Sequence, residues 1–238
     1  MYSENKQQLF LLHFAGGNAY SYNFIRKYLE NNFEFHPLEL PGRGKRISEA
    51  LLYNKKDAIE DYVTQITKLR NDQSYLIYGH SMGATLGLSV TKMMEEISDA
   101  PEKLIVSGNA GPGISTRDYK RYLLDDKAFK EELRRLGGVP NEVLENEELF
   151  NFFNTSIRAD FEILEKDMYS EKDVVLKTPI YAIMGDEEEM AADINNWSKF
   201  TANDFNSNIW SGNHFFIHKY PYKLSQLITK SCEQLLMH

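Results

Sequence analysis

A single cysteine, Cys232, is all the thiol chemistry this 238-residue chain carries, so no disulfide can form within it. That suits a reducing compartment, and a cytoplasmic location is expected, with Cys232 as filler on a C-terminal helix. Long apolar runs are missing as well. The longest stretches are far too short to cross a bilayer, and the polar opening Met1-Tyr2-Ser3-Glu4-Asn5-Lys6 does not read as a signal peptide. Basic charge is scarce: 27 Lys and Arg stand against 35 Asp and Glu, a net charge of −8 that disfavours nucleic acid and anionic membrane as partners. There is no repeat period, no low-complexity tract and no Cys/His cluster with ligand spacing, so neither a metal nor a cofactor is expected. Nothing suggests a large exposed apolar face, and a monomer is expected.

Apolar residues make up 42 % of the chain, with 14 Tyr and 14 Phe, enough to fill the core of one large domain spanning 1–238. Short apolar runs alternate with helical patterns, which predicts an α/β fold with a mostly parallel sheet flanked by helices. Strands are expected at Leu9–His13, Phe33–Leu40, Ser74–Tyr78, Lys103–Ser107, Ile180–Met184 and Phe205–Trp210. Helices are expected at Asn18–Glu30, Asp57–Arg70, Met82–Ile97, Asp193–Phe200 and Pro221–Leu236. Between Gly113 and Asp173 the alternation fails. Helices at Asp125–Leu136 and Asn146–Met168, separated by Gly137-Gly138 and Pro140, predict a helical insertion placed as a lid over residues 113–173.

Gly79-His80-Ser81-Met82-Gly83 is a G-x-S-x-G pattern lying between a predicted strand and a predicted helix. A serine on so sharp a turn is lifted above the sheet, as in the α/β-hydrolase fold, and the glycines avoid clashes that a side chain would make. The helix start beside Ser81 favours negative charge, so the Met82 N–H is one expected half of an oxyanion hole. The loop after the first strand, His13-Phe14-Ala15-Gly16-Gly17, is the expected source of the other half, through the Ala15 or the Phe14 N–H.

The hydrolase order is Ser, acid, His. Of six histidines, His13 and His36 precede the serine, His80 lies inside the turn and His238 is terminal. His214, in the loop after the last predicted strand, is the expected base, and His218 a surface or packing residue. The acid belongs after the strand Ile180–Met184, where Asp186, Glu187, Glu188 and Glu189 all qualify.

Several short strings then resemble those of type II thioesterases of nonribosomal peptide and polyketide synthesis. They are Phe14-Ala15-Gly16-Gly17, Pro41-Gly42-Arg43-Gly44, the string 79–83, Leu136-Gly137-Gly138-Val139-Pro140, Arg158-Ala159-Asp160-Phe161 and Gly212-Asn213-His214-Phe215-Phe216. Each is weak alone; in order and with compatible spacing they are specific. The resemblance covers nearly the whole chain, with three departures. His13 replaces a usual proline, Asn213 replaces a glycine and is expected to sit in a left-handed conformation, and Glu188 falls where the family has its triad aspartate. On that alignment Glu188 is favoured over Asp186.

The resemblance implies a serine hydrolase that removes stalled or misprimed acyl groups from the phosphopantetheine arm of acyl or peptidyl carrier protein domains. Expected substrate contacts are Phe14, His80, Phe153 and Phe161, within an acyl chamber shaped also by Phe150, Phe152, Leu164 and Met168 of the insertion. Arg43, Lys45 and Arg46 offer basic groups to an acidic partner or to the pantetheine phosphate. Two other readings stay open. Fold and triad argue equally for a carboxylesterase or lipase acting on oxygen esters, and a non-catalytic binding module would require a broken triad.

Overall fold

Along the first strand, alternate side chains go to opposite faces of one sheet: Phe10 and Leu12 join the core on one side, Leu9 and Leu11 the core on the other. A strand buried on both faces is what a parallel sheet covered by helices requires. The computed structural model describes residues 6–114, 118–166 and 171–233. Its strands are β1 (Gln7–Leu12), β2 (Phe33–Pro37), β3 (Tyr75–His80), β4 (Lys103–Ser107), β5 (Ile180–Gly185) and β6 (Phe205–Trp210). They form one parallel sheet in the order β2-β1-β3-β4-β5-β6. All six predicted strands are present; the second stops at Pro37 instead of Leu40, its last ladder bond running from the Leu38 N–H to the Leu11 carbonyl at 2.9 Å. Pro37 is tolerated because β2 is an edge strand.

Helices α1 (Asn23–Leu29) and α7 (Pro221–Glu233) cover one face, burying Ile25, Leu29, Leu224 and Ile228. Helices α2 (Lys55–Leu69) and α3 (Met82–Glu96) cover the other with Ala58, Tyr62, Ile66, Leu86, Val90 and Met94. The first helix is shorter than its apolar pattern suggests, because residues 18–22 turn before it begins. The stretch Ala191–Phe200 is a 3₁₀ helix and not an α-helix.

Between β4 and β5 lie α4 (Asp126–Leu136), α5 (Asn141–Glu145) and α6 (Glu147–Glu165). Asp125 caps α4 by accepting the Ala128 N–H at 2.8 Å, and Gly137 ends it at φ +76°, a left-handed value that glycine reaches without strain. Asn146 caps α6 through the Leu149 N–H at 3.1 Å. The three helices share a small core of Phe129, Leu133, Leu144, Phe150, Ile157 and Phe161. Met168 lies outside the described residues, as does His238, and α7 is described only to Glu233.

Strand order reverses between β1 and β3: the chain leaves β1 toward β2 on one side and returns to β3 on the other. The loops beyond the carboxyl ends of β1 and β3 therefore diverge and leave a crevice, which is where open parallel sheets place ligands.

Candidate active site

Ser81 follows directly on β3 and precedes α3, with φ +55° and ψ −110°, a conformation that non-glycine residues rarely adopt. The surrounding glycines are required by contact. A Cβ on Gly79 would lie 2.1 Å from the Gly83 carbonyl oxygen, and one on Gly83 would lie 2.0 Å from the Leu12 carbonyl oxygen. The turn is thus closed upon itself and pressed against the end of β1.

His214 Nε2 is 2.9 Å from Ser81 Oγ, and His214 Nδ1 is 2.7 Å from Glu188 Oε2. The consistent proton arrangement has Ser81 donating to Nε2 while Nδ1–H donates to the carboxylate. Glu188 Oε1 accepts the Gly185 N–H at 2.8 Å, so the carboxylate is held at both oxygens by the end of β5 and by His214. Asp186 faces elsewhere: its Oδ1 accepts the Gly212 N–H at 2.8 Å and braces the loop that carries His214. The structure brings Ser81, His214 and Glu188 into one chain of hydrogen bonds and leaves Asp186 outside it.

The Met82 N–H opens α3 and has no acceptor within the helix. The loop after β1 folds beside it as a turn, with the Gly17 N–H donating to the Phe14 carbonyl at 2.8 Å. His13 fits this loop as a neutral, fully buried ring. Nδ1 lies 2.9 Å from the Phe14 carbonyl and Nε2 accepts the Leu40 N–H at 3.4 Å. Burial, aided by the Arg43 charge, lowers its pKa to about 4.

A comparison with protein families places the thioesterase domain over residues 7–232. The chain belongs to the thioesterase family. This thioesterase is 29 % identical, over 98 % of its length and 92 % of the other's, to the gramicidin S biosynthesis protein GrsT of Aneurinibacillus migulanus. Among solved structures it is similar to ClbQ from the colibactin NRPS/PKS pathway, with a TM-score of 0.90 and 30 % identity over 98 % of this chain and 99 % of that one. It is similar also to the type II thioesterase BorB of the borrelidin biosynthetic cluster, with a TM-score of 0.84 and 28 % identity over 96 % and 93 % of the two chains. The α/β-hydrolase fold and the family resemblance carried by the short motifs are thereby borne out, and the thioesterase is an enzyme, a hydrolase.

The thioesterase has a cavity of about 250 Å³ at Ser81 and His214, and the segment between β4 and β5 contributes Tyr119, Arg121, Leu136 and Leu164 to its wall. None of the four expected substrate contacts is among the residues that line it. Phe14 packs edge-on against Phe215 and His80. His80 is fully buried beneath the serine turn, bound through Nδ1 to Ser107 Oγ at 2.8 Å. Burial, then repulsion from His214 and His218, holds its pKa well below the usual histidine range. Phe161 is sequestered in the core of the helical segment, and Phe153 lies on its outer surface against Phe152. Phe153 and Phe161 are turned away from the cavity by their phase on α6, and Phe14 and His80 by their packing behind the serine turn.

Lining residues that the sequence did not disclose include Thr85, Asn109, Met190 and the buried ion pair Lys55–Glu171, 2.8 Å apart. They converge from distant segments, and no local spacing signals it. Two of the three basic residues are engaged within the chain. Arg43 is buried and paired with Asp160, while Arg46 is paired with Glu49 and Asp61. Asn213 is not left-handed; the positive φ, +133°, belongs to Gly212 before it. Among the described residues, no cluster of three His, Cys, Asp or Glu side chains is arranged to hold a metal, and no helix is long and apolar enough to cross a membrane.

Proposed function

We propose that this thioesterase frees stalled or misprimed acyl groups from the phosphopantetheine arm of acyl or peptidyl carrier domains, with Ser81 as nucleophile, His214 as base and Glu188 as acid. The hydrogen-bonded series Ser81–His214–Glu188 carries the reading, and relatives named for an NRPS/PKS pathway and for the biosynthesis of gramicidin S and borrelidin support the carrier-bound substrate.

His214 Nε2 takes the proton as Ser81 Oγ attacks the thioester carbonyl carbon. The developing oxyanion lies between the Met82 and Ala15 N–H groups. The C–S bond breaks, and the imidazolium returns its proton to the departing pantetheine sulfur. Water then attacks the acyl-serine ester with His214 again as base, releasing the carboxylic acid and restoring Ser81. Glu188 keeps Nδ1 protonated and stabilises the imidazolium.

The test is mass-spectrometric deacylation of acetyl-pantetheinyl carrier protein by wild type and Ser81→Ala, beside a p-nitrophenyl ester. Wild type should release the acetyl group and Ser81→Ala should fall by roughly 10⁴-fold or more. Rapid ester hydrolysis with an untouched acyl-carrier would overturn the carrier reading in favour of an oxygen-ester hydrolase.

A further inference from the structure

Three of the short motifs meet at one buried carboxylate. Asp160, on α6, has no exposed surface. Its Oδ2 accepts both the Gly16 N–H at 2.7 Å and Arg43 Nη1–H at 2.5 Å, and its Oδ1 accepts Arg43 Nη2–H at 2.7 Å. Arg43 comes from the loop after β2, is itself only 6 % exposed, and reaches the Gly17 carbonyl at 3.5 Å. The loop after β1 also lies directly on α6: a Cβ on Gly16 would sit 2.9 Å from Ile157 Cγ1.

The Gly16 contact falls at the decisive place in the turn. Phe14 to Gly17 form a β-turn closed by the Gly17 N–H to Phe14 carbonyl bond, and Gly16, at its third position, has φ +76°. A positive φ there is the mark of a type II turn, which differs from type I by a flip of the central peptide. That peptide joins Ala15 to Gly16, and its N–H is the one Asp160 accepts. A flip of that peptide changes ψ of Ala15 and φ of Gly16 and leaves the Ala15 N–H in the preceding peptide. The Gly16 anchor therefore acts on the Ala15 N–H by fixing the whole turn that carries it, one residue away.

The geometry points to Asp160 as a positioning residue, whose acceptance of the Gly16 N–H holds the turn so that the Ala15 N–H faces the oxyanion, with Arg43 fixing the carboxylate. This rests on the proposed roles of Ser81 and Ala15. Asp160 touches no reacting atom; it acts through the turn.

A buried ion pair replaced on both sides by neutral groups leaves no unpaired charge, so such double variants are tolerated far better than single deletions. Two of them separate positioning from fold support. Arg43→Met/Asp160→Leu removes both the pair and the acceptor; Arg43→Met/Asp160→Asn removes the pair and retains an amide oxygen for the Gly16 N–H. On acetyl-pantetheine the Asn variant should exceed the Leu variant at least tenfold in kcat, up to about 10²-fold, with KM the same, since a misaimed oxyanion donor is felt in the transition state. Equal kcat for the two variants would overturn the proposal while leaving wild-type thioesterase activity, and hence the proposed function, intact. Hydrogen exchange in the wild type needs no variant to fold: the Gly16 amide should be protected, and exchange at the rate of a free turn amide would also overturn it.

Discussion

Two carboxylates two residues apart have different occupations. Glu188 accepts from His214 Nδ1 and from the Gly185 amide, whereas Asp186 accepts from the Gly212 amide and supports the loop that delivers His214. Glu188→Gln leaves an isosteric group that cannot hold the imidazolium, so kcat on acetyl-carrier should fall by roughly 10³- to 10⁴-fold with little loss of thermal stability. Asp186→Asn retains an oxygen for the Gly212 N–H and should stay within about tenfold of wild type. A deeper loss in Asp186→Asn than in Glu188→Gln, measured on the same acyl-carrier, would exchange the two assignments. Ser81 and His214 were legible because chain order and the strand-to-turn context leave each with few rivals. The acid was not, since four consecutive carboxylates differ only in how the turn after β5 directs them, and composition carries no such direction.

At the scale of elements, the strands were readable and the wall of the cavity was not. Strand positions follow from apolar runs bounded by turns, and Lys103–Ser107 and Phe205–Trp210 coincide with their expected limits. The helices between β4 and β5 show the limit of pattern reading. Helix α6 is apolar over much of its circumference, so its content does not say which side faces the substrate. Phe150, Ile157 and Phe161 pack inward around Phe129, Leu164 reaches the cavity, and Leu149, Phe152 and Phe153 face solvent. Phe153→Ser should therefore leave kcat/KM on acyl-pantetheines within about twofold, as surface substitutions away from a site do. Leu164→Ala enlarges the cavity and should raise the ratio of octanoyl to acetyl turnover by about tenfold, the lower end of what one methylene is worth in an apolar pocket. The ratio is found by competing the two acyl-pantetheines in one assay, and an octanoyl-to-acetyl ratio that moves with Phe153 and not with Leu164 would return the acyl chamber to the aromatic face.

Across the whole molecule, the two innermost histidines tie folding to pH. His13 follows directly on β1 and His80 ends β3, both fully buried beneath the site. His13 falls from 6.5 to about 4, mainly through desolvation, and His80 falls well below the usual range for the same reason. Below about pH 6.5 the unfolded chain takes up protons at these rings while the native chain does not, so stability rises with pH through this window and is lost as pH falls. For His13 the window runs from the unfolded value of 6.5 down to about 4, where the native ring also protonates. Its share of the loss between pH 7 and pH 5 is about 2 kcal/mol. Urea unfolding at pH 7, 6 and 5 should give a falling free energy for wild type. The fall should be about 2 kcal/mol smaller in His13→Asn, which keeps hydrogen-bonding groups in the loop but cannot take up a proton in this range. Parallel pH dependences in the two proteins would mean that the ring of His13 protonates in place in the native state and that burial does not keep it neutral.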